Sequence, residues 1–220
     1  MSKTLAVSVS EVNVVLGSNQ LLKDISLDVN YGEIVGLIGR NGSGKTMLLR
    51  CIAGFIPPQS GTILVAGRNI RKNGGFCPEI GFVLDNAGFL PNFSGLKNLK
   101  YIAAIRNFSS VEKLAQSMKA VGLDPNDKKK YCKYSQGMKK RLAIAQAIME
   151  DPKILLLDEP MNGLDQDSIF LVYDLIREMA SKKKCAIILT SHYPEDIASL
   201  CGKVYSMNRG ELRLMGGESK

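Results

Sequence analysis

The 220-residue sequence predicts an α/β fold: a mostly parallel sheet with helices packed on it, an antiparallel β subdomain near its start, and an inserted α-helical subdomain. Three observations predict it. Short, continuous apolar runs (EIVGLIG at 33–39, KILLLD at 153–158, CAIILT at 185–190) are strand-sized and do not alternate, the mark of strands buried on both faces. Polar residues and a helical pattern follow each run, which implies parallel strands joined by helices. Between about 89 and 150 such runs disappear, and apolar residues recur at helical spacing instead.

The elements follow in order. AVSVSEVNVV at 6–15 alternates apolar and polar residues, and DISLDVN at 24–30 does so again after the polar turn GSNQ, so two half-buried strands open the chain. The buried strand at 34–39 leads through glycines into a helix at Thr46–Ala53. Residues 95–106 and 109–122 are helix-like. QGMKKRLAIAQAIME at 136–150 has apolar positions at 138, 142, 144, 145, 148 and 149, which predicts a third helix. After the two later buried strands, KVYSMN, the turn Arg209–Gly210 and ELRLM form a terminal hairpin. The expected organisation is one domain over 1–220, with 1–88 and 151–220 as the α/β core and about 89–150 as the helical insertion.

Composition narrows the class. Hydrophobic residues at 45% and charged residues at 23% exclude a disordered or fibrous chain. No apolar run approaches the roughly 18 residues of a membrane span, and MSKTLAVSVSEV lacks the apolar core of an export signal. The five cysteines (Cys51, Cys77, Cys132, Cys185, Cys201) are scattered, odd in number and without a CxxC pair. That argues against a zinc site or disulfide framework and fits a reducing cytosol. A net charge of +8, from 29 basic against 21 acidic residues, favours anionic partners: nucleotides, nucleic acid or acidic lipid.

GRNGSGKT at 39–46 narrows that choice, because it matches GxxxxGK[ST] between a buried strand and a helix. Gly39, Arg40, Asn41, Gly42, Ser43 and Gly44 can wrap backbone N–H groups around phosphate oxygens, aided by the helix N-terminus. Lys45 is expected against the β- and γ-phosphates, and the Thr46 hydroxyl is a hard ligand for Mg²⁺. In ILLLDEP at 154–160, Asp158 ends a buried strand where it can hold Mg²⁺ through water. Glu159 follows it, suited to orient an attacking water as general base. His192, the single histidine, follows a buried strand and Ser191, at the sheet edge where ligands of α/β folds collect. From there it can donate to a γ-phosphate.

GRNGSGKT, YSQGMKKR, ILLLDEP, NGLD and SH stand in the order and spacing of the ATP-binding cassette of ABC transporters. Ser135 lies 23 residues before Asp158, and Asp165 six after Glu159. The chain resembles that family over essentially its whole length. The resemblance implies a P-loop NTPase core with a helical signature subdomain, ATP and Mg²⁺ as cofactors, and two ATPs sandwiched between two cassettes. YSQGM resembles the signature motif, so Ser135, Gln136 and Gly137 would complete the ATP site of a second cassette in trans. Asn162–Asp165 resembles the loop linking the two sites, with Asp165 in it, and His192 resembles the switch histidine.

Departures from the family pattern carry expectations of their own. The position of the adenine-stacking aromatic falls at Leu16 or Val15, which implies weak base selectivity. IGFVLD at 80–85 puts Asp85 where the family's loop has glutamine, adding a charged metal ligand and a stricter Mg²⁺ dependence. Gln136 and Met138 differ from the usual signature but leave Ser135 and Gly137 in place. IGFVLDNAGFLPNFSGLKNL and YSQGMKKRL look most like exporters of the bacitracin- and lantibiotic-resistance kind. These resemblances imply a separate membrane permease docking near Asp85 and Phe89–Phe93, and a peripheral position on the cytoplasmic face of the membrane. No stable nucleic-acid binding is expected, although seven basic residues lie at 128–141. The alternative is a soluble ABC ATPase of iron–sulfur assembly, or of nucleic-acid or ribosome work.

Overall fold

The computed structural model describes residues 4–71, 75, 77–83, 88–107 and 110–215. The chain opens with β1 (Leu5–Leu16) and β2 (Asn19–Asn30), paired antiparallel. Alternation, reset by irregularities around Glu11 and Asp24, decides which face is covered: Val7, Val9, Val12 and Val14 of β1 and Leu22, Ile25, Leu27 and Val29 of β2 are all buried. β3 (Ile34–Ile38) follows, then the glycine-rich loop and α1 (Lys45–Ile52). β4 (Ser60–Val65) and β5 (Arg68–Asn69) return to the first pair and complete a four-stranded sheet of order β2-β1-β4-β5.

The second sheet is built from later elements. β6 (Ile80–Val83) precedes three helices: α2 (Gly95–Ile105), α3 (Val111–Ala120) and α4 (Gln136–Ile148). Then come β7 (Ile154–Leu157), α5 (Gln166–Ser181), β8 (Ala186–Ser191), α6 (Pro194–Leu200), and the hairpin of β9 (Lys203–Asn208) and β10 (Glu211–Met215). The strand order is β10-β9-β3-β8-β7-β6, with every pairing parallel except β9 with β10. Every residue of β7 and β8 is buried, as their unbroken apolar runs require.

Two apolar layers hold the sheets and helices together. One joins the four-stranded sheet, α1 and one face of the parallel sheet through Val12, Leu22, Leu48, Leu49, Ile52 and Ile188. The other packs α2, α3, α4 and α5 on the opposite side through Leu99, Met118, Leu142, Leu157 and Ile176. Each fully buried aliphatic side chain contributes roughly 1.5–3 kcal/mol, so Leu48, Leu49 and Ile52 suffice to fix α1 against the sheet.

Four helices begin on a side-chain cap: Ser94, Ser110, Ser135 and Asp165 each accept the N–H three residues on. The expected helix at 109–122 is therefore shorter, running from the Ser110 cap to Ala120. Parallel pairing also has a consequence for chemistry. The carboxyl ends of β3, β7 and β8 emerge side by side, bringing residues 39–46, 158–159 and 192 to one edge.

Candidate active site

At that edge lies a cleft of about 650 Å³. The loop after β3 forms its floor. A Cβ on Gly39 would run into the Met207 carbonyl and the Ser43 hydroxyl, so only glycine fits there. Gly42 and Gly44 have φ of 78° and 114°, left-handed conformations that let the loop turn back on itself. Gly44 also starts α1, with no side-chain cap and no acidic residue in the first turn. The first N–H groups of α1 are thus left to whatever occupies the cleft, an arrangement suited to an anion.

Lys45 is only 5% exposed. Its Nζ donates to the Gly39 carbonyl at 2.6 Å and the Arg40 carbonyl at 3.3 Å, and stands 3.7 Å from Glu159 Oε1. A buried ammonium requires such partners. Asp158, at the end of β7, is 2% exposed and has both oxygens engaged. Thr46 Oγ1 donates to Oδ2 at 2.8 Å and Thr190 Oγ1 donates to Oδ1 at 2.8 Å. The Glu159 N–H donates to the same Thr190 hydroxyl at 2.9 Å. Glu159 itself sits at φ 48°, a conformation an L-residue holds only under constraint. Its Oε2 lies 2.5 Å from His192 Nδ1. Two chains of contacts result, Lys45–Glu159–His192 and Thr46–Asp158–Thr190, joined at Thr190.

Asn41, Gly42, Ser43, Gly44, Lys45, Thr46, Asp158, Glu159 and His192 therefore share one cleft, while Gly39 and Arg40 hold Lys45 through their carbonyls. Leu16 does not join them. It ends β1, is half-exposed, and lies outside the cleft wall, which Gln20, Leu21, Lys23, Arg209 and Gly210 form instead. The expected metal ligand Asp85 lies outside the described residues. Ser135 caps α4, accepting from the Met138 N–H at 3.2 Å. Gln136 and Gly137 lie beside Gly163 and Leu164, and none of the three signature positions lines the cleft. Asp165 caps α5, and the Ser168 N–H and then the Ser168 hydroxyl hold its carboxyl below the usual carboxylate range.

Thr190 escaped the sequence reading. As the last apolar-like position of CAIILT it looks like a β-branched core residue, and only its contacts reveal a polar task. Among the described residues no three His, Cys, Asp or Glu side chains cluster as a metal cage. The fit to Mg²⁺ rests instead on the Thr46 hydroxyl and Asp158 carboxylate, 2.8 Å apart. These are hard oxygens of the kind that hold a cation whose remaining positions go to phosphate and water.

A family model described as ABC transporter matches residues 22–162, and an AAA-domain model matches residues 130–195. The chain is 42% identical over 192 residues to the ABC transporter ATP-binding protein YybJ of Bacillus subtilis, covering 87% of this chain and 88% of that one. It is 33% identical over 197 residues to the bacitracin transport ATP-binding protein BcrA of Enterococcus faecalis, covering 89% of this chain and 64% of that one. Among solved structures, the dimeric ATP-binding cassette MJ0796 bound to ADP and Pi superposes with a TM-score of 0.85 at 20% identity. That match covers 97% of this chain and all of that one, and so shares its fold.

Proposed function

Because this chain belongs to the ABC transporter family as an ATP-binding subunit, we propose that it hydrolyses ATP in this cleft to drive a separate membrane permease of the exporter type. One observation carries the reading: Lys45, Thr46, Asp158, Glu159 and His192 converge in a single cleft on a glycine-rich loop. ATP hydrolysis is the activity of the family, and positioning with electrostatics is how such a site works. Loop N–H groups and Lys45 bind the β- and γ-phosphates. Thr46 and Asp158 would hold Mg²⁺, which would supply positive charge beside the phosphates. Glu159, steadied between Lys45 and His192, orients the attacking water and takes its proton. His192, fixed through Nδ1, leaves Nε2 for the γ-phosphate.

The signature positions support a two-chain site. Ser135, Gln136 and Gly137 stand apart from the cleft of their own chain, as residues destined for a partner's ATP would. The homodimer or sister pair so formed is proposed to sit on the cytoplasmic face of the membrane. The permease would dock in the groove between the α/β core and a helical subdomain of about 89–150, near Asp85 and Phe89–Phe93. The bacitracin transporter relative supports export of an antimicrobial peptide or drug.

The test is Glu159→Gln, which keeps the shape and removes the base. Turnover should fall by at least about a hundredfold while ATP binding persists. Sustained turnover would remove Glu159 from the role. The permease is sought by affinity capture from gently solubilised native membranes. Recovery of a stoichiometric protein with several apolar spans of roughly 20 residues each supports the transporter, and ribosomal or iron–sulfur partners in the soluble fraction would overturn it.

A further inference from the structure

One wall of the cleft lies outside the residues assigned above to the phosphates and the metal. It consists of Gln20, Leu21 and Lys23 of β2, with Arg209 and Gly210 from the turn between β9 and β10. That turn is tied to the phosphate-binding loop. The Gly210 N–H donates to the Ser43 carbonyl at 2.9 Å, and the Lys23 N–H donates to the Gly210 carbonyl at 2.8 Å. A Cβ on Gly210 would collide with the Leu21 carbonyl, so the turn lies flush against β2. The backbone that carries Arg209 is therefore held in place beside the loop that precedes Lys45 and Thr46.

Arginine is an unexpected residue at this point. Both turn residues have positive φ, 47° at Arg209 and 81° at Gly210, the two-residue hairpin geometry that suits Asn, Asp or Gly. A long side chain at the first position is strained, and strain of this kind concentrates at functional sites. Its neighbours on the wall are occupied: Gln20 Nε2 donates to Asn13 Oδ1 at 3.1 Å, and Lys23 pairs with Glu211 at 3.9 Å. Among the described residues, the exposed Arg209 guanidinium makes no hydrogen bond or ion pair. No Phe, Tyr or Trp among the described residues lines the cleft; of its other flat side chains, His192 is engaged by Glu159 and Arg50 stands in the last turn of α1, which leaves Arg209 as the flat group on this wall.

We infer that Arg209 is the base-contacting residue of this cleft, its planar guanidinium stacking on the purine of the bound nucleoside triphosphate beside Leu21. The guanidinium is flat, weakly hydrated and permanently charged, which suits it to aromatic faces as an ammonium is not suited. Stacking reads no hydrogen-bond pattern, so adenine and guanine are accepted alike. The inference rests on the cleft being the ATP site.

Two variants of the full chain test it, with Mg²⁺ present and three probes: ATP, GTP and inorganic tripolyphosphate. Arg209→Gly removes the side chain and suits the positive φ, and Arg209→Lys keeps the charge but loses the plane. Both should weaken ATP and GTP by about tenfold and leave tripolyphosphate unchanged. Equal loss of tripolyphosphate, or full rescue by lysine, overturns stacking in favour of simple charge. ATP binding unaltered in both variants overturns any role for Arg209. If the unsubstituted chain binds no ATP, this inference and the ATPase reading fall together, whereas every other adverse outcome touches Arg209 alone.

Discussion

Thr190 shows how much of the cleft depends on one hydroxyl. It donates to Asp158 and accepts from the Glu159 N–H, so it ties the proposed metal-holding residue to the proposed base. Thr190→Val preserves shape in a fully buried position but leaves one carboxylate oxygen and one N–H without a partner. The expected loss is about 2–4 kcal/mol of stability, since each stranded buried group costs roughly 1–3. Turnover should fall more than about tenfold from the misplaced Glu159, while Thr190→Ser restores both. Denaturant unfolding and steady-state ATPase rates check this, and a valine variant with unchanged turnover would refute the linking role. Lys45, Thr46, Asp158 and Glu159 were legible in the sequence because spacing alone identifies a glycine-rich loop and a carboxylate ending a buried strand. Thr190 was not, since a threonine in an apolar run satisfies strand propensity whatever its hydroxyl does. Leu16, placed by alignment at an aromatic position, is not among the residues that line the cleft.

Helix α2 and the segment leading into it are joined by Asn98, 1% exposed. Its Oδ1 accepts the Leu90 N–H at 2.7 Å, and its Nδ2 donates to the carbonyls of Leu90 and Ser94, each at 3.1 Å. A helical side chain is thus supplying the hydrogen bonds that the backbone before the helix cannot make for itself. Asn98→Ala strands these groups in the core and should cost about 2–4 kcal/mol. The backbone N–H of Leu90 should lose hydrogen-exchange protection before the body of α2 does. Equal protection at Leu90 in both proteins would show that the side chain does not hold the segment. At this scale the sequence was most readable where a pattern repeats. The alternation of β1 and β2, the solid apolar runs of β7 and β8, and the 3.6-residue spacing of α4 all appear as expected. β4, β5 and β6 went unmarked because they are short and carry glycine or polar residues. Their strand character comes from pairing with β1, β4 and β7, respectively, rather than from their own composition.

Across the whole molecule, none of the three signature positions at the start of α4 lines the cleft, although Lys140 farther along that helix donates to the Asp158 carbonyl at 3.5 Å. The proposed mechanism requires a second copy or sister chain to bring a signature onto the ATP. Ser135 offers a clean way to test the idea, because it does two jobs that can be uncoupled. As the cap of α4 its oxygen accepts the Met138 N–H. Aspartate caps a helix as well as serine does, and a negative charge at a helix N-terminus is favourable. Ser135→Asp should therefore leave the isolated chain as stable as before, within about 0.5 kcal/mol. Facing a partner's γ-phosphate, however, the same carboxylate meets like charge in a water-poor interface, where repulsion far exceeds its value in solvent. The comparison is made in the Glu159→Gln background, so that bound ATP persists. With Mg²⁺ and ATP, the parent chain should double in mass by light scattering while the Ser135→Asp chain stays monomeric and still binds ATP. Equal dimerisation by both chains would mean that Ser135 meets no phosphate in trans. A parent that remains monomeric at saturating ATP would set aside the homodimer, and pairing would then have to come from a different cassette.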